Sequence, residues 1–219
     1  LGDPAQRGPM IASVVDRLRT LHALDPAGVS AGDPVAFAHR ALDAGRERPG
    51  FPPWARALGP TFDAAAAVLA RDTRRVVSHN DVNPVNVLWD GARAWLVDWD
   101  VAGLAHPYYD LAVLALFLRL PDETALDLVA LHDGAPVDDA SRATFCALRQ
   151  LAGLLCGLTF LTLVEDLTVR PAPALADAPT LGDCYQAMRS GELDMQTPRG
   201  RASLGLALLV ESLPAELRV

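Results

Sequence analysis

Between residues 75 and 98 the sequence abandons helical spacing for short apolar runs, and any fold for this chain has to be built around that island. Val76-Val77, Val85 to Trp89 and Ala94 to Asp98 read as three strands, with Asp90-Gly91 as the turn joining the last two. On either side the pattern is helical. Ile11, Val14, Val15, Leu18 and Leu21 recur at helical spacing, with Pro9 at the first position and Asp25-Pro26 as the stop. Asp33-Pro34 opens a short helix ending at Gly45, and a stretch from Trp54 to Leu69 is interrupted at Gly59-Pro60. Further helices are expected over 111–120, from Asp122, and over 139–165, 181–190 and 198–217, with loops after the strands and at 171–179. The expected class is α+β, predominantly α-helical, as a single domain over residues 1–219.

Composition narrows the function. A chain of 219 residues with 51% hydrophobic and 21% charged side chains can bury a sizeable core and is not a disordered chain. Its net charge of −8 argues against nucleic acid or an anionic membrane as partner. All 19 basic residues are arginine, so no lysine chemistry is available within these residues: no P-loop lysine, Schiff base or kinase-type ATP-binding lysine. Cys146, Cys156 and Cys184 include no close pair, which suggests neither a disulfide framework nor a zinc knuckle. The apolar run at 151–164 falls short of the roughly 20 residues of a bilayer span and reads as a buried helix. No basic leader opens the chain, so a cytoplasmic location is expected. Because the chain begins with Leu1 rather than Met, we expect it to be part of a longer polypeptide.

The chemistry concentrates in His79-Asn80-Asp81-Val82-Asn83-Pro84-Val85-Asn86. The only three asparagines of the chain, 80, 83 and 86, all lie there. A hairpin turn centred on residue 92 would set Asn86 opposite Asp98, with Cβ atoms about 4.5–5.5 Å apart. An amide oxygen and a carboxylate at that separation can share a hard divalent cation such as magnesium. Asp81, in the loop before the hairpin, would then be a carboxylate base beside the metal, an arrangement suited to phosphoryl transfer. Protein kinases space their catalytic Asp and metal-binding Asn in the same way, although here Val97-Asp98-Trp99-Asp100 replaces Asp-Phe-Gly. Asn83 and Asp100 are further active-site candidates.

With Asp98-Trp99-Asp100, Ala102-Gly103 and Tyr109-Asp110-Leu111-Ala112 downstream, this segment resembles the aminoglycoside phosphotransferase and choline/ethanolamine kinase superfamily. Leu21-His22-Ala23-Leu24 is similar to the Leu-His ending the first helix of that family's C-terminal lobe. Asn80, together with Cys184-Tyr185 and Gly191, leans toward the bacterial choline-kinase-like branch. The resemblance implies a protein-kinase-like C-terminal lobe with a small β-hairpin at the catalytic site and no N-terminal β-rich lobe. It also implies ATP as co-substrate and Mg2+ as cofactor. Asp81 would be the base, Asn86 and Asp98 the metal ligands, His79 a brace, and Asp110 the residue holding the catalytic loop. The acceptor would be a small-molecule hydroxyl, possibly on a cationic amino-alcohol or an aminoglycoside. The missing N-terminal lobe would be a partner, and the lobe alone is expected to be inactive.

Plainer readings stand beside these. Asp81 could be a turn residue, Asp98 and Asp100 could merely end a strand, and Asp110 could be an ordinary helix N-terminal carboxylate. His22 and His106 read as structural, and Trp89 and Trp95 as packing. Glu165, Asp166, Asp183, Glu192 and Asp194 could attract a cationic substrate or be solvated surface. A kinase-like binding module without catalysis and a metal-dependent phosphohydrolase are the alternative functions.

Overall fold

In a computed structural model, residues 4–30, 34–169 and 174–213 are described. Leu1, the Asp33 cap, part of the 171–179 loop and the expected helix beyond residue 213 lie outside the described residues. The chain divides into two compact units, one of residues 1–33 and 68–149, the other of residues 34–67 and 150–219.

The first unit holds the β island. Helix α1 (Pro4–His22) runs through Pro9 rather than starting there, with Pro4 as its first residue. Val14, Val15 and Leu18 are completely buried along one face, a burial of roughly 1.5–3 kcal/mol for each side chain. Two antiparallel ribbons follow: β1 (Val76–Ser78) pairs with β4 (Gly103–Ala105), and β2 (Val87–Trp89) with β3 (Ala94–Leu96). Strand β4 lies where a loop was expected. Only three residues long, it offers no periodic signal of its own, and its partner is distant in sequence.

Helix α4 (Pro107–Phe117) is buried on all sides from Pro107 to Leu116, and α1, β1 and α5 (Asp122–Asp133) pack against it. It begins four residues earlier than its apolar run because His106 caps it and Pro107 occupies its first position. Helix α6 (Asp139–Thr162) begins in this unit and ends in the other.

The second unit contains α2 (Pro34–Arg46), α3 (Leu58–Leu69), the rest of α6, α7 (Leu181–Ser190) and α8 (Pro198–Ser212). Gly59-Pro60 does not interrupt α3. Both residues sit in its first turn, where backbone N–H groups have no intrahelical acceptor and proline costs nothing. Helices α6 and α8 meet at facing glycines: a Cβ on Gly157 would lie 2.9 Å from the Gly205 carbonyl oxygen, and one on Gly205 3.0 Å from that of Gly157. Thr180 and Asp183 form a reciprocal capping box on α7, which ends at Gly191 in the left-handed region. Among the described residues α6 alone has the length and hydropathy of a membrane span, but 67% of its apolar window is buried, as in a core helix.

Candidate active site

Residues 79–86 leave β1 and fold into a loop fixed by its own asparagines. Asn83, extended at φ −85°, caps a single 3-10 turn over Pro84–Asn86; its Oδ1 accepts from the Val85 N–H at 2.9 Å. Its Nδ2 donates to Asp81 Oδ1 at 2.9 Å, and Asn86 Nδ2 donates to Asp81 Oδ2 at 2.8 Å and to the Asp81 carbonyl at 3.0 Å. Each carboxylate oxygen of Asp81 is thus held by one amide and keeps a lone pair for a further donor. Val82, fully buried, pins the loop between them.

His79 ties this loop to the strand carrying Asp98. The ring is fully buried; its Nε2 donates to the Val97 carbonyl at 3.1 Å and its Nδ1 accepts from the Asp81 N–H at 3.3 Å. Trp99 lies against the same ring, centroids 4.5 Å apart. Both chain neighbours of Asp98 therefore rest on His79. Asp98 and Asn80 adopt left-handed backbone, φ 64° and 66°, which Asp and Asn tolerate better than other non-glycine residues. Asn80 Nδ2 donates to the Val101 carbonyl at 3.0 Å, a second tie between the two segments.

The expected hairpin register is corrected here. Asp90 N–H bonds to the Arg93 carbonyl, and the Asp90 side chain accepts from Ala92 and Arg93 N–H, so the turn centres between Gly91 and Ala92 rather than on residue 92. Val87 pairs with Leu96, Val97 N–H bonds to the Asn86 carbonyl, and Asn86 faces Val97 instead of Asp98. A one-residue change of register alternates the faces. Asp98 sits instead in a left-handed turn whose two flanking residues, Val97 and Trp99, contact His79.

Asp110 holds the loop from behind. It is fully buried in the first turn of α4; Oδ1 accepts from the Asn80 N–H at 2.7 Å and Oδ2 from the His79 N–H at 2.9 Å. His22, at the end of α1, approaches the same Oδ2 at 3.1 Å. Asp81, Asn83, Asn86, His79 and Asp110 thus form one connected set. Asp98 adjoins it in sequence through Val97 and Trp99, while Asp100 is exposed.

Beneath α4, His106 Nδ1 accepts from the Tyr108 N–H at 3.1 Å. Burial pushes its pKa down to about 4, against the pull of Asp72 3.1 Å away. The Asp72 carboxyl is held well below the usual range by hydrogen bonds from Arg74, whose guanidinium is raised in turn and lies over the Tyr108 ring. Burial raises the Tyr108 hydroxyl and lowers the His132 imidazole. Nothing in the local pattern singles out His132 or Asn80's link to Val101, because each depends on a contact between segments far apart or on an unpredicted turn.

By chemistry alone, an amide oxygen and a carboxylate are the ligand types a hard divalent cation takes. With Asn86 Nδ2 committed to Asp81, its amide oxygen is the end available to ligate, and the exposed Asp98 supplies a carboxylate. Among the described residues no cluster of three His, Cys, Asp or Glu side chains occurs, so protein atoms alone would fill only part of a coordination shell.

With this geometry established, comparisons with known proteins identify its lineage. The profile of the phosphotransferase enzyme family matches residues 1–146. Among curated proteins no match was found. A choline/ethanolamine kinase family protein of Mesorhizobium loti matches with a TM-score of 0.66 at 20% identity, over 94% of this chain and 67% of its own. A choline kinase of Streptococcus pneumoniae matches with a TM-score of 0.52 at 16% identity, over 91% and 63%. An aminoglycoside phosphotransferase of Streptomyces rimosus gives 0.51 at 22%, over 69% and 64%. At these identities the likeness is one of fold, and the chain spans about two-thirds or less of each solved relative's length. The profile match covers every residue of the Asp81 loop, the Asp98 turn and Asp110, and on that span the chain belongs to the phosphotransferase enzyme family.

Proposed function

We propose that this chain carries the catalytic loop of an ATP- and Mg2+-dependent kinase that phosphorylates a small-molecule hydroxyl. The observation that carries the reading is the Asp81 carboxylate, oriented by Asn83 and Asn86 on a loop anchored to buried Asp110. In this reading Asp81 orients the acceptor hydroxyl and takes its proton as oxygen attacks the γ-phosphorus and the bond to the β–γ bridging oxygen breaks. Asn86 Oδ1 and Asp98 would hold the magnesium ion, with nucleotide oxygens and water completing its shell. When bound, the ion supplies neutralisation of the phosphate charge. His79 keeps the Asp81 loop and the Asp98 turn at a fixed spacing, and Asp110 fixes the loop backbone.

With no lysine among these residues, further phosphate contacts in this reading come from arginine or from the part of the longer relatives that this chain does not span. An amino-alcohol acceptor of the choline or ethanolamine kind is favoured by fold neighbours so described, which match 94% and 91% of the chain. A neighbour from Ralstonia eutropha described as a putative aminoglycoside phosphotransferase also covers 94%, so aminoglycosides belong in the same test. The test is transfer of labelled γ-phosphate from ATP, by the full-length protein with Mg2+, to choline, ethanolamine and a set of aminoglycosides. Acceptor-dependent, metal-dependent transfer supports the reading. Phosphate release unaffected by any acceptor would point to a hydrolase, and no nucleotide turnover to a binding module.

A further inference from the structure

Behind the catalytic loop, Asp110 continues into a chain of side chains that leads outward through two histidines. His22 Nε2 lies 3.1 Å from Asp110 Oδ2, His22 Nδ1 lies 2.9 Å from His132 Nε2, and His132 Nδ1 lies 2.7 Å from Asp133 Oδ1. Tyr108 closes the far end by donating its hydroxyl to Asp133 Oδ2. The line runs from a fully buried end to a half-open one: side-chain exposure is 5% at His22 and 0% at Asp110, against 11% at His132 and 30% at Asp133.

The hydrogens along this line can be counted. All four ring nitrogens are engaged, in three contacts, and each contact needs one hydrogen. The outer two nitrogens face carboxylates already accepting from other donors, the His79 and Asn80 amides at Asp110 and the Tyr108 hydroxyl at Asp133. With both carboxylates ionised, those nitrogens donate. The inner two need one hydrogen between them. Three hydrogens are required, and a pair of neutral imidazoles brings only two. Without the third, two acceptors would oppose each other in one of these contacts, of which the His22–His132 one is part-buried.

We propose that His132 is a positioning residue for the Asp81 loop, sharing with His22 one proton beyond those of two neutral rings, so that a single positive charge sits between Asp110 and Asp133. A hydrogen on the His22–His132 contact fixes His22 Nε2 as the donor to Asp110, and Asp110 holds the His79 and Asn80 amides that lead into Asp81. The groups facing the pair are Arg19 from α1, Asp110 and Tyr108 from α4, and Asp133 on α5 itself. Burial and the neighbouring His22 work against a charge on His132, while Asp133 favours it. This rests on the kinase reading only in calling the loop catalytic; the proton count stands apart from it.

The test is 1H–15N correlation of the imidazole rings in the full-length protein, followed from pH 6 upward. The expected result is three protonated nitrogens across His22 and His132 at pH 6, with one lost in a single step in which both rings shift together. Two protonated nitrogens at pH 6, four, or two independent steps would overturn the proposal. A second measurement follows the His79 and Asn80 backbone amides: His132→Phe should shift both, and His132→Gln, which can still donate to His22, should restore them. Amides unmoved by His132→Phe would refute the positioning role even if phosphotransfer is established, and the proton count can succeed or fail with no substrate in hand.

Discussion

Acidification should unfold this protein in part through one histidine, and His106→Asn should remove that part. His106 caps α4 by accepting from the Tyr108 N–H, which only an unprotonated Nδ1 can do. The side chain is buried, and its pKa stands at about 4 in the fold against 6.5 for an unperturbed histidine. Above pH 6.5 the ring is neutral in both states and contributes no pH dependence. Between 6.5 and 4 the unfolded chain takes up a proton that the folded one refuses, so stability falls as the pH falls. The slope approaches about 1.4 kcal/mol per pH unit, and the accumulated loss is about 3 kcal/mol at pH 4. Asparagine keeps a capping oxygen at this position but does not titrate. Urea unfolding followed by circular dichroism at pH 7 and pH 4.5 should therefore show the wild type losing about 2–3 kcal/mol more than His106→Asn. The Asp72 carboxyl, held low by Arg74, loses its contribution only as the pH falls below its ordinary value of 3.8, outside this window. His132 is present in both proteins, so its contribution cancels in the difference. Equal losses in the two proteins, within about 0.5 kcal/mol, would refute the reasoning.

Three substitutions test the framework around the site. Asp110→Asn replaces a buried acceptor of two backbone amides with a group whose N–H2 opposes one of them; it should cost about 3–5 kcal/mol in urea unfolding, and a cost below about 1 would show that the carboxylate does not hold the loop. Asn80→Gly should leave stability within about 1 kcal/mol, because glycine adopts the positive φ freely and offsets one lost hydrogen bond, whereas Asn80→Val should cost about 2 or more; equal effects would contradict the left-handed assignment. Gly157→Ala should lower stability by about 1–3 kcal/mol despite alanine's better helix propensity, since its methyl meets the Gly205 carbonyl; a neutral or stabilising result would show that α6 and α8 are less closely apposed.

Much of this could be read from the sequence, and what could not has a physical cause. Helical periodicity with strong stops made α2, α5 and α7 legible, and the clustered asparagines singled out the loop that the structure organises around Asp81. Prolines misled where their position within the helix mattered: Pro9 and Pro60 lie inside helices, Pro60 in a first turn where it breaks no bond. The hairpin register was missed by one residue because the Asp90 side chain tightens the turn, a choice between closely spaced alternatives that apolar spacing does not decide. Strand β4 and the His22–His132 contact depend on pairings across 25 or more residues and leave no mark on local pattern.

The account stands or falls with Asp81. In the full-length protein, with Mg2+, ATP and an acceptor that supports turnover, Asp81→Asn should lower kcat by about 10²–10⁴ while the melting temperature and the KM for nucleotide stay near wild type. A folded Asp81→Asn protein that turns over at the wild-type rate would contradict it.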